Sequence, residues 1–158
     1  MSTSAARVGP DVTTPRDDRG NPRRWSSLRS SAVKVVEMDG PGGRWRVLEP
    51  ETRRERMRGL RGRPPPGPQE AMLFRRCRSV QTFGMRHEIS VVFLDRTLQV
   101  IEVRRCRPGR VVRSRGARHA LECSVTSGLR VGDRFELRAR GGRRARRPRG
   151  PRSPRGGA

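Results

Sequence analysis

The chain has no tyrosine, and its single lysine is Lys34; its histidines are His87 and His119. Cysteine is scarce as well. Cys77, Cys106 and Cys123 are odd in number, widely spaced and form no Cys-x-x-Cys pair. Such isolated thiols exclude a disulfide framework and fit free cysteines in a reducing compartment. With two histidines and no thiol pair, a metal site would need ligands gathered from distant parts of the chain, so no metal and no cofactor are expected. There is no apolar run long enough to span a bilayer, and residues 1–31 lack an apolar segment of the signal-peptide kind. The expectation is a cytoplasmic protein without a membrane partner. No glycine loop has the spacing that cradles phosphate.

Arginine is what abounds. The chain carries 38 basic against 15 acidic residues, a net charge of +23, and a pI near 12.0. One reading is a polyanionic partner such as nucleic acid. The other is compositional: abundant Arg, with 18 Gly, 13 Pro and one Lys, is what a GC-rich coding sequence produces unselected. A surface selected for phosphate contact would normally use Lys as well as Arg. Both readings stand at this point.

At 158 residues there is room for one domain plus tails. A hydrophobic content of 31% and a mean hydropathy of −0.87 allow a core only where apolar residues concentrate. The best core material is the stretch from Thr82 to Asp95, which holds the run Val91-Val-Phe-Leu94. Residues 1–31 mix Ser, Thr, Pro, Asp and Arg and read as a disordered segment. Residues 139–158 contain no acid and nothing large and apolar, and read as a disordered Arg/Gly/Pro-rich tail. The folded domain is expected over residues 32–138.

Within it, residues 32–38 and 44–49 have strand character and flank a loop with three glycines suited to positive φ. Trp45 and Val47 fall on one face of the second run, Arg44 and Arg46 on the other. One short helix is expected at about residues 50–58, with Pro50 in its first turn, Gly59 as its cap, and Met57 and Leu60 packing it down. Residues 63–68, Arg-Pro-Pro-Pro-Gly-Pro, form a stiff connector. Further strands are expected at 71–75, 89–94, 98–104, 110–113, 118–125 and 134–138. Short strands with regular turn signals predict a mainly β fold: a compact antiparallel β-sandwich, jelly-roll-like, or a squat barrel.

Several motifs occur in an order that resembles the domain-of-unknown-function family 192, a group of small prokaryotic β proteins, over about residues 45–137. They are the Arg-x-x-Gly-Leu pattern ending at Gly59-Leu60, Met-Leu-Phe at 72–74, Phe83-x-Met85-Arg86 leading to Phe93-Leu-Asp95, Leu121-Glu122, and Gly132-Asp133. The resemblance implies a compact β fold with little helix and no activity, because the family has no established biochemical function. Ser90, Glu88, His87, Gln81 and Arg61 depart from its usual pattern. A pocket lined by those positions would be altered in this chain.

Few polar positions offer chemistry. Gly132-Asp133 and Asp95 are explained by turns, in which an aspartate accepts backbone N–H groups. Arg86 and Glu122 form a candidate pair, read first as structural glue and second as the polar floor of a pocket. Met85 reads as a core gap-filler before a pocket lip. His87 and Glu88, adjacent on an expected strand, point apart and make no local acid–base pair. Cys77 is flanked by arginines that can lower a thiol pKa, although a buried strand thiol, as at Cys123, is commoner. No nucleophile–base set emerges, and the catalytic set is therefore empty. The leading expectation is a non-catalytic module binding a small ligand or a protein. Its alternative is non-specific nucleic-acid binding through the tail, with Arg143, Arg144, Arg146, Arg147 and Arg149 as phosphate contacts and no aromatics for base readout. An enzyme joining Glu122 with Arg86 or His119 ranks third.

Overall fold

The computed structural model describes residues 32–138. The segments 1–31 and 139–158, including the five tail arginines proposed as phosphate contacts, lie outside the described residues. The elements run β1 (Val33–Gly40), β2 (Gly43–Pro50), α1 (Arg53–Arg58), β3 (Glu70–Arg75), β4 (Ser79–Gln81), β5 (Ile89–Leu94), β6 (Val100–Cys106), β7 (Val111–Arg113), β8 (His119–Cys123) and β9 (Glu136–Leu137). The fold is mainly β with one short helix, as expected. The main sheet has the order β6-β5-β8-β3-β2-β1-β9, and β4 and β7 form a separate ribbon.

The β1–β2 hairpin turns on Pro41-Gly42, with Gly40 opposite Gly43. Gly42 and Gly43 take φ of 75° and 117°, which a side chain would disfavour. β5, expected over the same six residues, is buried throughout because both sheet faces are covered. Ile89, Val91 and Phe93 join one apolar cluster, whereas Val92 and Leu94 join the other. An unbroken apolar run is what a strand buried on both faces requires.

The sheet curls because the chain's last described segment bridges its two edges. Val100 donates to the Asp133 carbonyl and Phe135 to that of Leu98, on the β6 side. Two residues on, β9 pairs with β1. The result is a half-barrel whose open edges are drawn together. Inside the curl, Trp45 and Phe135 meet edge-to-face with ring centroids 5.3 Å apart. The Trp45 indole N–H donates to the Pro41 carbonyl at 2.8 Å. A Cβ on Gly40 would lie 2.5 Å from the Phe135 ring, so glycine is needed there for close approach.

Several expectations are corrected. The β2–β3 pair is parallel whereas the other pairs are antiparallel. The helix and the proline-rich connector supply the crossover that a parallel pair needs. Pro50 ends β2 and is not in the helix; α1 starts after Thr52, whose Oγ1 accepts the Glu55 N–H at 3.2 Å. That Thr-x-x-Glu spacing is a capping-box pattern at an N-terminus. Met57 does not anchor the helix, being 59% exposed, while Leu60 is 1% exposed. α1 itself buries no residue. It is held from beyond its end by Leu60 and by the ion pair of Arg63 with Glu55, 2.6 Å apart and nearly buried. Leu98 is not in a strand: it sits at φ 64° in the loop before β6 and tucks its side chain into the inner cluster. His87 and Glu88 lie in the bend before β5, and β4, which the sequence pattern did not reveal, pairs with β7.

Candidate functional site

β8 carries a buried carboxyl group on a sheet face that is otherwise apolar. Glu122 is 4% exposed and, by strand alternation, faces the same way as Ala120, towards the outer cluster beneath α1. The turn ending α1 lies over it. Gly59 has φ 54° and ψ −133°, a backbone state that residues with a Cβ avoid. A Cβ there would stand 3.4 Å from Glu122 Oε2 and 3.6 Å from Phe74 Cζ. The Leu60 backbone N–H donates to the Glu122 carboxyl group, while Oε2 is buried with no hydrogen-bond partner among the described residues. Burial pushes the Glu122 pKa up to about 8, and the Leu60 N–H opposes this only in part. At neutral pH Glu122 is therefore a carboxylic acid able both to donate and to accept.

Beside this acid opens a cleft of about 290 Å³. Leu60, Phe74, Val80 and Met85 are buried and make its apolar interior, while Met57 and Phe83 stand exposed at its mouth. Arg53, Arg56, Arg58 and Arg61 complete the rim. Arg56 donates to the Arg75 carbonyl at 2.9 Å and Arg61 to that of Met57 at 3.0 Å. Arg58 lies 4.0 Å from Glu55, whose carboxylate is already held by Arg63. The stem of Arg61 crosses Gly84, where a Cβ would be 2.8 Å from its Cδ. The rim is thus cationic and the interior apolar, with a neutral acid beneath.

The sequence-proposed residues divide between this site and the rest of the fold. Gly59, Leu60, Phe83 and Met85 gather at the cleft with Glu122. Arg86 does not: it is exposed, and no ion pair joins it to Glu122. The expected pairing is replaced by the Leu60 N–H, a backbone donor that a search among side chains does not find. Phe93 is fully buried in β5, on the outer-cluster face. Asp95 Oδ1 accepts the N–H groups of Thr97 (2.7 Å) and Gln99 (3.0 Å), and these bonds lower its pKa. Asp133 accepts the Arg130 N–H at 2.7 Å beside Gly132, whose φ is 95°. Both aspartates close turns.

The other titratable groups sit apart from the acid or are held neutral. His119, three residues from Glu122 on β8, points to the opposite face. Its pKa is lowered by burial, with Arg75 and Arg118 acting in the same direction, and its Nδ1 accepts the Arg76 N–H at 3.4 Å. Cys77 lines the cleft, but burial raises its pKa despite the Ser79 carbonyl contact and Arg56. Burial likewise pushes Cys123 up to about 11. Both thiols are raised, which corrects the idea that the arginines beside Cys77 lower it. Among the described residues no cluster of His, Cys, Asp or Glu has the arrangement of a metal site. No helix among them is long and apolar enough to cross a membrane. The rim arginines were missed by sequence reading, although Arg53 and Arg56, one helical turn apart, share a face of α1.

Fold and site together define a small curled-sheet domain with a buried acid beneath an arginine-rimmed cleft. Over residues 34–137 the chain belongs to DUF192, a family described as uncharacterized ACR. Of the solved structures, it is similar to a protein of unknown function from Novosphingobium aromaticivorans DSM 12444, at 20% identity and a TM-score of 0.54, covering 66% of this chain and 84% of that one. It is also similar to a protein from Sinorhizobium meliloti 1021 described as a candidate transcription regulator, at 18% identity and a TM-score of 0.57, covering 69% and 96%. At these identities the likeness is one of fold alone. No curated protein matches the sequence significantly. Four of the motif segments behind the family resemblance supply residues to the cleft: Gly59-Leu60, Phe74, Phe83 with Met85, and Glu122.

Proposed function

We propose that the domain is a non-catalytic binding module that takes a small ligand in the cleft between the α1–Leu60 turn and the Phe83–Met85 turn. The observation carrying this reading is Glu122 Oε2, buried and unpartnered beside an apolar cleft. A buried polar atom without a partner costs about 1–3 kcal/mol, so a fold that retains one has a use for it or a partner to come. An apolar concavity with a few convergent polar groups is the usual form of a small-molecule site. Catalysis is disfavoured because the acid has no base or nucleophile beside it: His119 faces away and the Cys77 thiol stays protonated. The free cysteines fit a reducing compartment such as the cytoplasm.

A thermal-shift screen of the full chain against a fragment collection tests the proposal. Compounds that bind the cleft raise the melting temperature of the protein and fail to do so in Ser79→Trp, which places an indole on an exposed lining position. Hits that stabilise both proteins equally count against the cleft.

A second reading rests on the tail. From Arg138 onward nine arginines follow with no acid, and a polyanion would engage some of them. If about five contact phosphates, log K against log salt slopes by roughly −4 to −5. A chain ending at Leu137 that binds duplex DNA and RNA as the full chain does removes this reading.

A further inference from the structure

The charge arrangement around the cleft narrows its ligand class, given the binding role proposed above. The rim is unbalanced. Arg53 has no partner among the described residues, and Arg56 and Arg61 donate only to neutral backbone carbonyls. The Glu55 carboxylate beside the rim is engaged by Arg63 at 2.6 Å and lies 4.0 Å from Arg58. Among the described residues, the only acid lining the cleft is Glu122, which is buried. Guanidinium groups without carboxylate partners are matched by a planar anion, because they can donate two parallel hydrogen bonds to it.

The apolar part narrows the class further. Two phenylalanines, Phe74 and Phe83, and two methionines, Met57 and Met85, supply most of the apolar lining. Thioether sulfur and ring edges both favour an aromatic neighbour. A volume of about 290 Å³ lies at the small end of ligand sites, too small for a long acyl chain or an oligonucleotide. Glu122, which lines the cleft, carries a buried, unpartnered oxygen beside the Gly59–Leu60 turn, a partner for a hydroxyl or amide group on the ligand.

We propose that the cleft binds a small aromatic carboxylate, its anion at Arg53 and Arg56, its ring among Met57, Phe74 and Met85, and a hydrogen-bonding substituent opposite the carboxylate at Glu122. The ligand lies along the cleft with its charge at the mouth. Anion and neutral group are separated because Arg53 is exposed and the acid is buried.

Calorimetric titration of the full chain with five probes tests this: 4-hydroxyphenylacetate, phenylacetate, phenylacetamide, phenethylamine and acetate. The expected order is 4-hydroxyphenylacetate, then phenylacetate, then phenylacetamide weaker by roughly tenfold or more, the margin of a charge-assisted hydrogen bond. Phenethylamine and acetate do not bind measurably, one for its charge and one for lack of a ring. Replacing both Arg53, which is exposed, and Arg56, which is half-buried, by Ala lowers carboxylate affinity about tenfold and leaves phenylacetamide unchanged. Glu122→Leu abolishes the advantage of the hydroxyl group alone. Phenylacetamide binding as tightly as phenylacetate overturns the proposal but leaves the cleft as a binding site. Acetate binding as tightly as phenylacetate also overturns it, reducing the effect to general attraction by a basic protein. If no aromatic probe of any charge binds, this proposal is overturned, while the cleft reading is decided by the thermal-shift screen.

Discussion

The two faces of the main sheet are both buried, yet they are built to different rules. Inside the curl, Met38, Trp45, Val47, Leu121 and Phe135 interlock with exposures of 0–1%. The indole N–H there has its acceptor. On the outer face, Leu48, Met72 and Phe93 are as deeply buried, but the cover is made of short pieces: Leu60 after a six-residue helix that buries nothing itself, Val80 of β4, and Met85. Beneath the helix end is an acid whose Oε2 has no partner. The indole on the inner face has its acceptor, whereas the outer face leaves the Glu122 Oε2 without one next to a cleft. That contrast is why a binding site is proposed on the outer face, because polar groups left without partners in a core are selected against unless they have a use.

The sharpest way to break the contrast is to remove a ring from each face. Phe135→Ala is expected to cost about 3–5 kcal/mol, since a closed interior cannot collapse around the void. Phe74→Ala should cost less, towards about 3 kcal/mol, because its site borders the cleft and the lost volume opens into existing space. Urea denaturation of the two variants measures both values. A loss at Phe74 equal to or larger than that at Phe135 means that the outer face is packed as tightly as the inner.

Next in size is the effect of the acid itself. Glu122 has a folded pKa of about 8 against an ordinary 4.5, so between these values the unfolded chain has released a proton that the folded chain still holds. Stability is then highest below about pH 4.5 as far as this group is concerned, falls as pH rises, and levels off above pH 8. The slope should approach about 1 kcal/mol per pH unit between pH 6 and 8. The other titratable groups acting with it are the Cys77, Cys106 and Cys123 thiols, all raised and hence neutral here. His87 and His119 have pKa values lowered by burial, so they pull the opposite way only below about pH 6.5. The window from pH 7 to 8 therefore isolates Glu122. Glu122→Gln keeps an acceptor for the Leu60 N–H and removes the ionisation. It should flatten that window and stabilise the protein by about 2–3 kcal/mol at pH 7. A wild-type stability that is flat from pH 7 to 8 would mean that the acid is better solvated than its burial indicates.

How far this was legible in the sequence varies along the chain. The period-2 pattern at Trp45 and Val47, the continuous run of β5 and the Gly-Asp turn at 132–133 each report a local requirement, and local requirements are written in adjacent residues. The expected helix was displaced because Pro50 suits a helix start and a strand end equally, and only the Thr52 cap separates the two. The parallel β2–β3 pair and the closing role of residues 132–137 involve partners distant in sequence, which periodicity does not encode. At the site, Glu122 stands out in the sequence as an acid within an apolar strand. Its partner was sought among cations, because charge suggests an ion pair; the structure instead leaves the acid neutral and supplies a backbone N–H. No pattern of side chains could show that.

Gly59 ties the helix end to the acid, and its replacement is the next smaller test. Gly59→Ala places a methyl group at φ 54° and 3.4 Å from Oε2. A cost of about 1–2 kcal/mol is expected from the backbone state, with a further loss if the Leu60 N–H is displaced. Measuring the variant in the Glu122→Gln background separates the two contributions. Equal costs in both backgrounds assign the effect to the backbone alone, whereas coupling shows that the turn and the acid act as a unit.

The smallest effect on stability is expected at the cleft mouth, and it is the most informative about function. Met57 and Phe83 are 59% and 53% exposed, so Met57→Ser and Phe83→Ser should change stability by less than about 0.5 kcal/mol, as exposed substitutions usually do. Both residues are large, apolar and adjacent to one opening, a placement that contributes little to the fold. If they serve a ligand, each serine variant should weaken the binding of phenylacetate severalfold while denaturation midpoints stay in place. Val131 is 67% exposed and lies outside the cleft lining, which makes Val131→Ser the matched control: it should change neither quantity. A drop in affinity at Val131 as large as at Met57 would show that exposed apolar surface in general, rather than this opening, holds the ligand.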